Sequence, residues 1–143
     1  MYLLDTNIIS EMRKAGTRRR SPQFVRWLES IDLETCHLSA MSLFEVETSI
    51  LRKERQDALQ GRLLRDWFEH ILKPEFRDRI LPVCATTALH TARLHVPNPV
   101  AVIDSFIAAA AIEHGKIVVT RNVKDFAGFG VKIVNPFAES GTD

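Results

Sequence analysis

Residues 99–115 read PVAVIDSFIAAAAIEHG, and almost every position before the final three is apolar except Asp104. A helix this apolar must be largely buried, which requires layers on either side of it. The run Ala108 to Ala111 has side chains small enough for a helix to lie close against a sheet. Asp104 is the anomaly. An ionised carboxylate in such a segment costs several kcal/mol unless a basic side chain, a helix N-terminus or a metal ion sits beside it. Otherwise it is protonated.

The rest of the chain alternates short apolar runs with helical spacing. Tyr2 to Leu4 reads as a buried strand ending at Asp5, and Thr6 to Lys14 as a helix with Ile8, Ile9 and Met12 on one side. Ser21-Pro22 is a helix start, with serine as N-cap and proline in the first turn. Residues 36–40 suit a second strand, Met41 to Arg52 a helix, and Asp57 to Leu72 another, which Pro74 is expected to stop. The apolar face of that last helix, with Leu59, Leu63, Leu64, Trp67, Phe68 and Ile71, is broad enough to contact a second chain as well as its own core. Residues 79–83 suit a third strand and Thr86 to Leu94 a helix, which Pro97-Asn98-Pro99 breaks. The helix containing Asp104 ends naturally at Gly115. Residues 116–120 and 131–135 supply a fourth and a fifth strand. This order predicts an α/β sandwich with a mainly parallel sheet of about five strands.

A length of 143 residues suits one domain. We place it at 1–137, with 138–143 as a frayed tail. No apolar run is long enough to span a bilayer, and "MYLLDTN" lacks the basic region of a signal peptide. Cys36 and Cys84 do not make a disulfide framework. Both are expected as small core hydrophobes in a reducing compartment, which points to the cytoplasm. The net charge of +1 excludes a strongly basic nucleic-acid binder. Basic residues nevertheless cluster at Arg13, Lys14, Arg18, Arg19 and Arg20, where a solvated loop and a phosphate contact are both open readings.

In a parallel sheet, ligands bind beyond the carboxyl ends of the strands. Asp5 ends the first strand, and Thr120 ends the fourth with Asn122 and Asp125 following. Glu45 lies one turn into the helix after the second strand, and Asp104 lies early in its own helix. Singly, each acid could be a helix cap, and "SLFE", Ser42 to Glu45, matches a capping box. Gathered in one pocket they would repel one another and raise one another's pKa. A hard divalent cation, magnesium or manganese, removes that conflict. Asp104 is expected to stay ionised because it faces such an ion.

Four segments, "LLDTNIISE", "LSAMSLFEVE", "IDSFIAAAA" and "VVTRNVKDF", occur in this order across nearly the whole chain. Together they resemble the PIN-domain ribonucleases, specifically the VapC-type toxins of bacterial toxin–antitoxin modules and their FitB-like branch. The resemblance implies a three-layer sandwich and a Mg2+- or Mn2+-dependent endoribonuclease acting on structured RNA, commonly tRNA. On the family pattern Asp5, Glu45 and Asp104 are the core acids, with Asp5 and Asp104 expected as the direct metal ligands. The fourth acidic place is Asn122 here, with Asp125 as a second candidate, and one metal ion is the safer expectation than two. Thr6, Asn7, Thr120 and Arg121 are supporting residues. Thr120 and Asn122 would orient water or phosphate, and Arg121 would meet the RNA backbone or pair with an acid. The implied partners are a VapB-like antitoxin and a second copy of the chain. A PIN-like domain that binds without cutting, and a phosphoacceptor receiver domain, are the competing classes.

Overall fold

The computed structural model describes residues 1–138. Five parallel strands form the sheet: β1 (Tyr2–Leu4), β2 (Cys36–Ser39), β3 (Ile80–Leu81), β4 (Ile117–Val119) and β5 (Ile133–Val134), in the spatial order β3-β2-β1-β4-β5. β1 is central, with Leu4 in register with Leu38 on one side and Val119 on the other. From β1 the chain winds outward through β2 to β3, then returns to the other side of β1 for β4 and β5. The winding reverses between β1 and β4, and the crevice at their carboxyl ends is where such a sheet places a ligand.

Successive side chains of a strand point to opposite faces, so each central strand feeds two cores. Leu4 and Val119 enter a core with Ile8, Phe24, Leu38, Ile50 and Phe76. Leu3 and Val118 enter the other, with Ile107, Ala108, Ala110, Ala111 and Phe126. The first face is covered by α1 (Thr6–Lys14), α2 (Pro22–Ser30), α3 (Ala40–Gln56), α4 (Ala58–Trp67) and α5 (Lys73–Phe76). The second is covered by α6 (Ala85–Leu94), α7 (Val102–His114) and α8 (Val123–Phe126). The three-layer sandwich is therefore as expected, and every strand pair is parallel. Ala108 to Ala111 are all buried, and Gly115 closes α7 in the left-handed conformation at φ 62°.

Several local expectations are corrected. Pro74 does not stop the helix before it. Residues Phe68–Leu72 widen into a π-helix, and the chain continues as α5 with Pro74 in its first turn. The wider turn shifts the hydrogen-bond register where proline has no N–H to donate. It also turns Phe68 and Leu72 into the core. Cys36 is buried, but Cys84 is exposed at the start of α6. The broad face of the 57–72 segment divides: Leu64, Trp67 and Phe68 pack inward, whereas Leu59, Leu63 and Ile71 are exposed. The outer strands β3 and β5 have two residues each, shorter than their sequence runs. Of the expected tail, residues 139–143 lie outside the described residues.

The hairpin of α3 and α4 is held by Arg65, which reaches Glu47 at 2.6 Å and Glu54 at 3.2 Å. Close approach of the two helices needs Gly61, because a Cβ there would lie 2.5 Å from the Glu54 Cα. Gly61→Ala is expected to force the helices apart and destabilise the protein by about 1–3 kcal/mol. Urea unfolding monitored by circular dichroism measures this, and an unchanged midpoint would show that the hairpin yields without strain.

Candidate active site

Asp5 follows β1 and is the N-cap of α1, with its Oδ1 accepting the Thr6 N–H at 2.8 Å. Its Oδ2 accepts the Thr120 hydroxyl at 2.8 Å and the Asn7 side-chain amide at 3.3 Å. The carboxylate is thus fixed by three donors and is buried, with 4% exposure. Thr120 owes its place to β4, whose register with β1 sets it beside Asp5. The Thr120 hydroxyl also accepts the Asn122 N–H at 2.9 Å. The cap and ligand readings of Asp5 are therefore compatible, since capping uses one oxygen edge. In this arrangement the Thr120 hydroxyl holds both Asp5 and the start of the following loop.

Glu45 lies inside α3, which begins at Ala40 with Ser39 as N-cap. The "SLFE" capping box does not form, because the helix starts two residues before Ser42. Glu45 is free to face α1, where its Oε1 accepts the Thr6 hydroxyl at 2.5 Å. Asp104 is the third residue of α7 and no cap, since the helix starts at Val102 with Ala101 before it. Asn122 precedes α8 and Asp125 lies within it; both are exposed.

The charges of these acids act on one another. Burial raises the Asp104 pKa to about 6, and the charges of Asp5, Asp125 and Glu45 push in the same direction. Burial also raises the Asp5 pKa; the Thr120 and Thr6 bonds oppose this, and Glu45 and Asp125 add to it. Four acids from distant parts of the chain therefore share one electrostatic neighbourhood, in which Asp5 is buried and Asp104 half-buried. Among the described residues, no three carboxylate, imidazole or thiol groups enclose an ion by themselves. Two carboxylates with water completing the shell suit magnesium, which keeps several waters and takes one or two carboxylates. The donor set is all oxygen and carries negative charge from several acids, and it fits a hard cation at Asp5 and Asp104.

Arg121 pairs with Glu11 at 3.7 Å and lies over the Phe137 ring. The Arg121 backbone N–H donates to the Asn7 Oδ1 at 3.4 Å. Pairing with an acid was one of the two roles expected of Arg121; that the acid is Glu11, and that Phe137 lies beneath the guanidinium, was not. Glu11 lies four residues after Asn7, so helical spacing alone puts it on the same face, whereas nothing in the sequence points to Phe137. Among the described residues the carboxylate that a receiver site needs at the end of its third strand is missing: β3 ends at Leu81 and is followed by Pro82 and Val83.

These features define an α/β protein with an acidic, oxygen-donor site at the reversal point of a parallel sheet. The PIN domain family matches residues 2–130. Toxin FitB of Neisseria gonorrhoeae is 32% identical over 96% of this chain and 99% of its own length. VapC ribonuclease Y4jK of Sinorhizobium fredii is 30% identical over 96% and 98%. The crystal structure of FitAcB from Neisseria gonorrhoeae superposes with a TM-score of 0.86 at 30% identity, covering 97% of this chain and 100% of that one. The chain belongs to the PIN domain family.

Proposed function

We infer that this protein is the toxin component of a VapBC-type toxin–antitoxin pair, a metal-dependent endoribonuclease that hydrolyses phosphodiester bonds in RNA. The observation that carries the reading is the gathering of Asp5, Glu45, Asp104 and Asp125 at the β1–β4 crevice, where Glu45 meets Thr6 beside Asp5 and the charges of these acids act on buried Asp5 and half-buried Asp104. Support comes from relatives of full length that carry the names toxin and ribonuclease. The proposed substrate is a structured RNA of the tRNA class, the proposed ion Mg2+ or Mn2+, and the proposed place of action the cytoplasm. No helix among the described residues is long and apolar enough to cross a membrane.

Asp5 and Asp104 would hold the ion. The chemistry expected of a divalent cation held there is polarisation of the phosphodiester and acidification of water. Thr120, Asn7 and the Thr6 N–H keep Asp5 oriented whether or not RNA is present. Glu45 is anchored through Oε1, which leaves Oε2 to take a proton from the attacking water. Asn122 and Asp125 stand at the open rim, where an amide and a carboxylate can orient substrate and water. Incubating the purified protein with total RNA in Mg2+ or Mn2+, then sequencing the new RNA ends, tests the assignment. Cleavage that chelator abolishes is the expected result; identical cleavage in excess chelator would remove the cation from the reaction.

The partner proposed for the toxin is a VapB-like antitoxin, and the assembly proposed for the toxin itself is a homodimer. Leu59 and Leu63 stand one turn apart on α4 at 67% and 49% exposure and offer an apolar contact face. Leu63→Asp is expected to weaken assembly with antitoxin by about 10-fold, as loss of a buried apolar anchor does, and to leave RNA cleavage unaltered. Trp67 is a poor probe of this surface because it packs into the core. Gel filtration and titration of the pair check the effect, and unchanged affinity would move the contact to another face.

A further inference from the structure

Beside the carboxylates the loop after β4 and the end of β5 enclose an open cavity of about 390 Å³, lined by Arg121, Asn122, Val123, Lys124, Asp125 and Asn135. We propose that this cavity takes a backbone phosphate of the RNA flanking the bond that is cut, and that Phe137 is the positioning residue that sets Arg121 for it. This rests on the ribonuclease reading and extends it to Asn135 and Phe137, which lie beyond the family match ending at 130.

The geometry around Arg121 carries the inference. Its guanidinium carbon lies 3.8 Å from the centre of the Phe137 ring. Phe137 is stacked in turn on Phe24, with centroids 5.5 Å apart and planes at 13°. Phe24 is fully buried, so the platform is continuous with the core. The Phe137 N–H is tied to the Asn135 Oδ1 at 2.9 Å, which fixes the backbone that presents the ring. A guanidinium carries its donors at the edges of its plane. Stacking occupies a face and leaves those edges free. Glu11, itself buried, approaches only Nη1, and at 3.7 Å. The side chain remains 51% exposed. The result is a cation held flat, with edge donors unspent, one residue after the threonine that grips Asp5. Lys124 adds a second positive charge to the cavity wall, and Asp125 an opposing negative one. An arginine with free edges and a fixed plane suits a phosphate, which accepts paired N–H donors.

The test is a double-mutant cycle on RNA affinity, read with a short fluorescein-labelled single-stranded RNA by anisotropy in chelator, with cleavage kinetics in parallel. Arg121→Gln is expected to weaken binding about 10-fold and to reduce the slope of log affinity against log salt by about 0.7, the loss of one phosphate contact on a single strand. Phe137→Leu keeps the charge and most of the apolar volume. It is expected to raise Kd and KM about 5-fold with kcat nearly unchanged, the pattern of lost uniform binding. Phe137→Tyr, which retains an aromatic face, should bind as the parent does. The double variant Phe137→Leu with Arg121→Gln should bind no more weakly than Arg121→Gln alone, because the ring acts only through the arginine. Parent-like affinity of Phe137→Leu, or losses that add in full, would overturn the proposal. A parent protein that cleaves no RNA defeats the ribonuclease reading instead, and the binding cycle still reports on the cavity by itself.

Discussion

Asp5→Asn is expected to lower RNA cleavage by on the order of 10³-fold while the protein remains folded. The replacement is nearly isosteric, and the side-chain oxygen can still accept the Thr6 N–H that starts α1. The Thr120 hydroxyl can rotate from donor to acceptor and keep its contact. Only the amide of Asn7, already long at 3.3 Å, would face another donor. What the variant loses is the negative charge at the reversal point of the sheet, and with it one of two carboxylates that could hold a divalent ion. The expected signature is therefore a folded protein by circular dichroism, with lost cleavage and weakened Mn2+ uptake by isothermal titration. An Asp5→Asn protein that cleaves RNA and takes up Mn2+ as the parent does would defeat the site as drawn.

The sheet was legible because strand burial leaves a local trace. Leu3 and Leu4 are both apolar, as are Val118 and Val119, since both faces of a central parallel strand are covered. The run Ala108 to Ala111 and Gly115 placed α7 and its end with equal clarity. The local rules failed where a tertiary contact decided the outcome. Pro74 reads as a stop on its own, yet core packing of Phe68 and Leu72 draws the chain through a π turn and past it. "SLFE" matches a cap, but Ser39 at the end of β2 caps a helix that starts at Ala40, and Glu45 meets Thr6 of another helix. The acids of the site were visible as types at strand ends. Their orientation was not, because the bonds that set it join residues as far apart as Asp5 and Thr120. Phe137 had no local mark: its ring matters only through Arg121 and Phe24.

Asp104→Asn should move stability and activity in opposite directions. In the chelated parent, burial and the neighbouring carboxylates raise the Asp104 pKa to about 6, above the roughly 3.9 of a free aspartate. The fold therefore prefers the protonated form. The stability this contributes is fully present below about pH 4 and is lost as pH rises through about 6. Asp5, also raised, adds to the decline in the same sense. A melting temperature recorded in chelator should consequently fall between pH 4 and pH 7. Asp104→Asn removes a charge that the fold does not compensate, so the variant should lose much of that slope and melt about 2–5 °C above the parent at pH 7. Divalent cation should reverse the order. At about 100 times its Kd an ion that binds only the folded state adds about 2.7 kcal/mol; the parent gains it, and the variant, short of one carboxylate, does not. Cleavage by the variant should fall by on the order of 10³-fold. If Asp104→Asn melts below the parent at pH 7 in chelator, its carboxylate already has a compensating partner within the protein, and the reason for placing a cation there disappears.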